Sequence, residues 1–272
     1  MRNIKLTIAY GGSKYAGWQT QASPTSQVPC PKSQFLCLKL KTVQEEIEKA
    51  LQKIFQKKIP LVGSGRTDAG VHAQAQVANF KIDSSLGLTK LKAALNGILP
   101  KDIAITKVEE VDSDFHARFS AKSKTYRYVI ILSREKIAFL HAYGLQVRMP
   151  LNVNIMKKES KSLLGRHDFS SFQGSDRGRR RAITTIYEIA IKKCKGCDSF
   201  PFLKNLDLVV IDIHAKGFLR SMVRNIVGTL IEIGKDKISE GELKKILRKK
   251  DRRSAGPCAP AKGLYLLKVN YE

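Results

Sequence analysis

The residues best suited to chemistry occur together in one short string, Gly63-Ser-Gly-Arg-Thr-Asp-Ala-Gly-Val-His-Ala73. Its three glycines let the backbone approach a ligand closely, while the Asp68 carboxylate and the Arg66 guanidinium project from nearby positions. A carboxylate in such a place can act as a nucleophile or take up a proton. This combination of residue types predicts an active site.

The same string also fits two alternative structures, a phosphate-binding loop and a plain hairpin turn. A phosphate-binding loop is disfavoured because the glycine spacing matches neither the P-loop nor the dinucleotide-binding pattern, and because Asp68 would repel a phosphate. A structural hairpin turn, with Asp68 simply as a residue that favours turns, fits the composition as well as an active site does. The residues alone leave the hairpin turn and the active site both open.

The elements around the string follow the order βαββαβ in the first half of the chain. Thr42 and Glu45 have capping-box spacing and introduce a run of apolar residues at helical period, while alternating apolar residues indicate strands. The glycine and small residues at 68–70 suit a tight turn, which puts Asp68 at the tip of a hairpin. The predicted segments are a strand at 4–10, a helix from 42 to 55, extended stretches at 61–67 and 71–82, a helix at 89–98 and a strand at 103–111.

The second half repeats this order. Strands are predicted at 124–132, 184–192, 206–215 and 264–271, with helices near 153–164, from about 218, and a short basic helix opened by the capping-box pattern at 239–242. Two βαββαβ units predict an α+β fold with two ferredoxin-like domains, residues 1–112 and 113–272, each with an antiparallel sheet. The catalytic loop would then belong to the first domain.

Residues 22–41 do not fit a compact unit. The segment contains Pro24, Pro29 and Pro31, and a connection of this length is usually functional or mobile. A mobile flap and a surface insertion without function are both compatible with the residues present.

The charge of the chain indicates a polyanionic partner. Lys and Arg number 49 against 24 Asp and Glu, a formal net charge of +25, which is costly in self-repulsion unless a polyanion offsets it. No segment approaches the roughly 18 apolar residues of a transmembrane span, and the start of the chain lacks the apolar region of a signal peptide. We therefore expect a nucleic-acid partner, no membrane contact and a cytoplasmic location.

The cysteines and acids do not predict a metal site. The five cysteines include only one CxxC pair, Cys194 and Cys197, whereas a structural zinc site needs four ligands. A metal-dependent nuclease would need several acids around a cation, and no acidic cluster accompanies Asp68 in the sequence. We expect reduced thiols and no metal.

Several motifs, in order along the chain, resemble those of the tRNA pseudouridine synthase A family. They extend from residue 8 to residue 265, and their number and order make chance agreement negligible. Besides the string at 63–73 they are Tyr10-Gly-Gly-Ser13, Gly17-Trp18-Gln19, Thr42-Val-Gln-Glu45, Phe115-His-Ala-Arg-Phe-Ser-Ala121, Lys124-Thr-Tyr-Arg-Tyr128, His167-Asp-Phe-Ser-Ser-Phe172, Phe218-Leu-Arg-Ser-Met-Val-Arg-Asn-Ile-Val-Gly228 and Ala259-Pro-Ala-Lys-Gly-Leu-Tyr265.

The resemblance implies a cofactor-free isomerase that detaches uracil from its ribose, rotates it and rejoins it through C5. It also implies action on uridines 38 to 40 of the tRNA anticodon arm, a homodimer, and two ferredoxin-like domains that meet at a basic cleft. A non-catalytic RNA-binding protein with two such modules would fit composition and fold equally well. The string around Asp68 favours the enzyme.

Site residues follow from the resemblance position by position. Asp68 matches the catalytic aspartate, and Arg66 is expected to help displace the base or bind phosphate. Tyr126 matches a tyrosine that stacks on the target base, although a tyrosine in such a strand is usually only packed. Arg224 matches the basic residue that pairs with the aspartate and holds it ionised and oriented, although a surface arginine is the more common outcome.

The basic run at 177–181 is expected to contact the RNA backbone through Arg179, Arg180 and Arg181, although it could also be a solvated face. The family pattern usually has an arginine where this chain has Thr184. The contact that this arginine would make is therefore lost or is supplied by Arg181. The 22–41 segment also exceeds the usual connection of the family, and its role is therefore not transferable.

Overall fold

The computed structural model describes residues 1–19, 41–174, 182–196 and 206–272. The basic residues Arg179, Arg180 and Arg181 lie outside these ranges, as does the segment predicted as a flap at 22–41, except for Lys41. No helix among the described residues is long and apolar enough to cross a membrane.

The first half of the chain has the predicted βαββαβ order. The second strand is shorter than predicted, because only two residues pair with the next strand, whereas extended structure was predicted over 61–67. The elements are β1 (Arg2–Tyr10), α1 (Val43–Phe55), β2 (Val62–Gly63), β3 (His72–Ile82), α2 (Leu88–Ile98) and β4 (Ile103–Val111).

Helix α1 begins as the sequence predicts. Thr42 accepts a hydrogen bond from the backbone N–H of Glu45, and the Glu45 side chain accepts one from the N–H of Thr42, which completes the capping box. Val43, Ile47 and Leu51 lie on one face of the helix and are fully buried. The apolar period therefore sets which side of α1 packs on the sheet.

The second half contains the predicted elements and two short strands, β6 and β7, that were not predicted. Helix α4 begins four residues later than expected. The elements are β5 (Ser123–Leu132), β6 (Leu145–Val147), α3 (Val153–Ser160), β7 (Gly165–Asp168), β8 (Ile183–Lys195), β9 (Asp207–Ala215), α4 (Met222–Gly234), α5 (Glu242–Lys249) and β10 (Leu264–Asn270).

The capping box predicted for α5 is wrong, although the helix itself is present. Gly241, at φ +84°, occupies the N-cap, and no side chain caps the helix there. The turn into α5 uses the left-handed conformation that glycine adopts most easily. Ser239 therefore lies outside the helix and cannot act as its cap.

The described strands form one mostly antiparallel sheet in the order β4-β1-β3-β10-β5-β9-β8-β7, with β2 on β3 and β6 on β5. The fold is therefore mixed α+β. Strands β1 to β4 come from the first half, and the last strand of the chain, β10, lies between β3 and β5. Its pairing with β3 is parallel, while its pairing with β5 is antiparallel.

Strand register brings residues from both halves into one row on the buried face of the sheet. Tyr10 pairs with Ala73, Ala73 with Leu266, Leu266 with Tyr126, and Tyr126 with Ile213. All five side chains are buried. Because cross-strand partners share a face, Tyr10 and Tyr126 lie on the same side of the sheet.

Candidate active site

Asp68 lies in the loop that connects the antiparallel strands β2 and β3. The backbone N–H of Val71 donates to the Asp68 carbonyl at 3.2 Å, and Gly70 has φ +78°, as the third residue of a type II turn requires. The hairpin prediction is confirmed. However, the connection is longer than a tight turn and runs from residue 64 to residue 71.

The residues just before Asp68 are fixed by the segment that follows β1. The Tyr10 hydroxyl and Thr67 Oγ1 are 2.8 Å apart, and the N–H of Trp18 donates to the Thr67 carbonyl at 3.2 Å. Gly17 has φ +94°, and a Cβ at this position would lie 2.3 Å from that carbonyl oxygen. A glycine at position 17 therefore lets the two segments touch.

The Asp68 carboxylate is bound by two donors from the second half of the chain. Arg224 Nη1 and Ser221 Oγ each donate to Oδ2 at 3.1 Å. Arg224 is held from its other side, because its Nε donates to the Ala259 carbonyl at 2.7 Å. The side chains of Asp68 and Arg224 are 30% and 20% exposed, so the pair is open to a ligand.

Helix α4 delivers both donors to the carboxylate. Ser221 is the N-cap residue, but it has φ +55° and makes no side-chain cap bond, because its hydroxyl turns to Asp68. The carboxylate thus lies near the N-terminus of α4, where the helix dipole favours a negative charge. Sequence reasoning did not identify Ser221, although it lies within the motif that contains Arg224.

A close backbone contact fixes α4 against the chain segment around Ala259. A Cβ at Gly228 would lie 1.7 Å from the Pro257 carbonyl oxygen, and the N–H of Ala259 donates to the Arg224 carbonyl at 3.1 Å. Glycine at position 228 therefore permits the approach that brings the Ala259 carbonyl to the Arg224 side chain.

Tyr126 lies on β5 beneath this site and is only 9% exposed. Its ring makes an edge-to-face contact with Phe218, with centroids 5.0 Å apart. Burial raises the pKa of its hydroxyl, and the nearby Tyr10 and Asp68 raise it further. Tyr126 is therefore a neutral, largely packed ring within electrostatic reach of the carboxylate.

Arg66 contacts a residue other than the Asp68 carboxylate. Its exposed side chain donates through Nε to Gln19 Oε1 at 2.9 Å, and no ion pair joins it to Asp68 in the described part of the chain. The structure thus brings together Asp68, Arg224 and Tyr126 but not Arg66. The predicted positions Arg179, Arg180 and Arg181 fall outside the described residues.

The chemistry available at this site is that of a single carboxylate. Both donors bind Oδ2, and among the described residues no hydrogen bond to Oδ1 of Asp68 is present, so this oxygen can face a ligand. A carboxylate oriented in this way can attack a carbon or accept a proton. The described residues contain no group of three or more His, Cys, Asp or Glu side chains that could hold a metal ion.

Comparisons with known proteins give the family of this chain. The profile of a family described as tRNA pseudouridine synthase matches residues 32–120 and 160–272. The chain is 40% identical over 271 residues to a tRNA pseudouridine synthase A of Thermoanaerobacter sp. (strain X514), and 43% identical over 271 residues to one of Clostridium botulinum (strain Eklund 17B / Type B). It is 41% identical over 271 residues to a tRNA pseudouridine synthase A 2 of Clostridium perfringens (strain 13 / Type A).

Each of these alignments covers 100% of both chains. The family profile also spans the Asp68 loop, helix α4 and strand β10, which together build the site. The chain therefore belongs to the tRNA pseudouridine synthase family, whose enzymes are isomerases.

Proposed function

We propose that this chain isomerises uridine to pseudouridine at positions 38 to 40 of the tRNA anticodon arm, with Asp68 as the catalytic carboxylate. The observation that carries the proposal is the position of Asp68, which is 30% exposed and bound through one oxygen by Arg224 and Ser221. Two donors fix the orientation of the carboxylate while its second oxygen stays available to the nucleoside.

Asp68 can serve the reaction in two ways. It can add to the sugar or base as a nucleophile, or it can take the proton that must leave C5 once the new bond has formed. Both routes need an ionised and oriented carboxylate. Arg224 supplies the compensating charge, and the N-terminus of α4 adds to it. Neither route requires a cofactor.

Tyr126 and Arg66 have supporting roles in the proposal. Tyr126 is 9% exposed beneath the carboxylate, and in the proposal its ring stacks on the target base when the nucleoside is bound. Arg66 projects into solvent two residues before Asp68, where it suits a phosphate or the space left by a displaced base.

The tRNA partner follows from charge and family together. A net charge of +25 favours binding to a phosphate backbone, and Arg179, Arg180 and Arg181 are the residues proposed to contact it. The proposal includes a homodimer, a cytoplasmic location and two ferredoxin-like domains, residues 1–112 and 113–272, that meet at a basic cleft. Both parts of the chain contribute to the site, which supports a substrate bound between them.

The test of the catalytic role is release of tritium from tRNA labelled at uridine C5. Asp68→Asn and Asp68→Ala should release none, yet bind tRNA within a few-fold of wild type, because binding is spread over many cationic contacts. Asp114→Asn, a change at an exposed acid, is the matched control and should be fully active. Appreciable release by Asp68→Ala would place the catalytic group elsewhere.

The target positions need a separate test. Transcripts in which uridines 38, 39 and 40 are replaced by cytidine should lose tritium release, while transcripts changed at other uridines should keep it. Release that persists without those three uridines would contradict the anticodon-arm assignment but leave pseudouridine formation intact. Binding without release from any tRNA would favour a non-catalytic RNA-binding protein.

A further inference from the structure

Two side chains bind consecutive backbone carbonyls of the loop that leads to Asp68. Lys124 Nζ donates to the Ser64 carbonyl at 2.7 Å, and Gln76 Nε2 donates to the Gly65 carbonyl at 3.0 Å. Gln76 Oε1 in turn accepts from Ser64 Oγ at 2.7 Å. Strand β2 ends at Gly63, and one more backbone bond follows it, from the N–H of Ser64 to the Val77 carbonyl at 2.7 Å. The two side chains therefore hold the loop where the strand pairing runs out.

Lys124 is an unusual choice for a purely structural bond. Burial, as the main cause, and the positive charge of Arg118, as a second one, together lower the pKa of its ammonium to about 8. No carboxylate among the described residues pairs with it at ion-pair distance. A Cβ at position 65 would lie 2.5 Å from Nζ, so the loop closes tightly over the ammonium.

The position of Lys124 connects the loop with the floor of the site. It lies on β5 two residues before Tyr126, and side chains two apart on a strand point to the same face. Strand β5 belongs to the second half of the chain, whereas the loop belongs to the first. Lys124 therefore links the Asp68 loop directly to the strand that carries Tyr126.

We propose that Lys124 is a positioning residue of the reaction, whose protonated ammonium holds the Ser64–Gly65 backbone and thereby fixes Asp68 relative to Tyr126. The inference rests on the proposed catalytic role of Asp68. Lys124 touches neither Asp68 nor the proposed position of the base, and it acts through the loop alone.

The proposal gives a dependence of rate on pH. Deprotonation removes the charge from the bond to Ser64, so the rate of isomerisation should fall as pH rises through about 8. The neighbouring phenols of Tyr10 and Tyr271 do not titrate in this range, because burial raises the pKa of both.

Stability should change in the opposite direction over the same range. The ammonium of Lys124 has a lower pKa in the folded chain than its ordinary value of 10.5, so the unfolded chain binds more protons between about pH 8 and that value. The contribution of Lys124 to folding therefore becomes more favourable as pH rises. A fall in rate above pH 8 is then not explained by a loss of stability that comes from Lys124 itself, and thermal unfolding over the same range checks the rest of the chain.

The experiment compares Lys124→Met and Lys124→Gln with Lys268→Met in the full chain. Lys268 is exposed on the neighbouring strand β10, where it pairs with Thr125. Because Thr125 points to the opposite face of the sheet from Lys124, Lys268 does not share the loop contact. Lys268→Met therefore removes the same charge as Lys124→Met but leaves the loop contact in place. Single-turnover rates on tritiated tRNA, tRNA affinity and thermal unfolding are measured from pH 6.5 to 9.5.

We expect the isomerisation rate of Lys124→Met at pH 7 to be about 10-fold to 100-fold below that of wild type. Its tRNA affinity should be within about 2-fold of that of Lys268→Met, and its rate should not decline near pH 8. Lys124→Gln should recover part of the rate, because it keeps an N–H donor, and should also lack that decline. Lys268→Met should match wild type in both respects. Asp68→Asn serves as the inactive reference.

Wild-type rate and pH profile in Lys124→Met would overturn the proposal. If the Lys124 variants do not fold, the wild-type profile decides, because a rate that stays constant to pH 9 would contradict a requirement for the protonated ammonium. Full activity of Asp68→Asn would instead refute the catalytic assignment, so the two failures are distinguishable.

Discussion

Gly17→Ala should disturb catalysis through a single backbone contact. Gly17 has φ +94°, and a Cβ there would lie 2.3 Å from the Thr67 carbonyl oxygen and 3.0 Å from the Asp68 carbonyl carbon. An ordinary van der Waals contact begins at 3.4 Å, so the loop must move by about 1 Å to accept the methyl group. The residue displaced is the one that carries the proposed catalytic carboxylate.

The size of the effect has two parts. A non-glycine residue at such a positive φ costs about 1–3 kcal/mol in stability. For a chain near this size, each kcal/mol lowers the Tm by roughly 2–4 °C. Displacement of a catalytic group by about 1 Å costs on the order of 100-fold in rate. We therefore expect Gly17→Ala to reduce kcat by about 10-fold to 100-fold.

Gly241→Ala is the matched control for this prediction. Gly241 has φ +84°, close to that of Gly17, but a Cβ there meets nothing within 4 Å. It should lose a similar amount of stability from backbone strain while keeping the wild-type rate of tritium release. Equal rates for the two variants, measured where both are folded, would refute the argument that Gly17 sets the position of the loop.

Four further predictions concern the site and its partner. Arg224→Leu removes a charge-assisted hydrogen bond worth about 1.5–3 kcal/mol, so the rate should fall by about 10-fold to 100-fold, and an unchanged kcat would contradict the pairing. Tyr126→Phe should keep most of the activity because the ring remains. Tyr126→Ala should lose about 1–3 kcal/mol of stacking energy, measured as a fall in kcat/KM, and should also be less stable because a buried ring is removed. Changing Arg179, Arg180 and Arg181 together to Ala should flatten the slope of log affinity against log salt concentration, and an unchanged slope would place the RNA elsewhere. Activity should survive EDTA, and loss that zinc or magnesium restores, with the tRNA fold intact, would contradict a cofactor-free reaction.

The sequence predicts long elements with a strong apolar period better than short or capped ones. The capping box and apolar face of α1 are both present. Strands β6 and β7, of three and four residues, are too short to show alternation, so no period marks them. For α5, a serine at capping-box spacing is outweighed by Gly241, because the turn before the helix needs a positive φ.

The contacts of the site depend on tertiary structure to different degrees. Asp68 and Arg224 lie in distinctive motifs, so the sequence alone suggests both. Ser221 and Lys124 contact the Asp68 loop across 153 and 60 positions of sequence, and no local pattern predicts such contacts. A serine before a helix normally predicts a cap, and only the structure shows that its hydroxyl turns to a carboxylate instead.

Strand β10 explains why the site depends on the whole chain. It is formed by the last residues of the chain and lies between β3, which follows the Asp68 loop, and β5, which carries Lys124 and Tyr126. Leu266 of β10 pairs with Ala73 on one side and with Tyr126 on the other, so this strand sets the distance between the two halves. The turn at Asp68 is a local structure, whereas its contacts with Lys124, Ser221 and Arg224 join the two halves that β10 holds side by side. Because closing such long loops is costly in entropy, we expect the orientation of the carboxylate to be fixed late in folding.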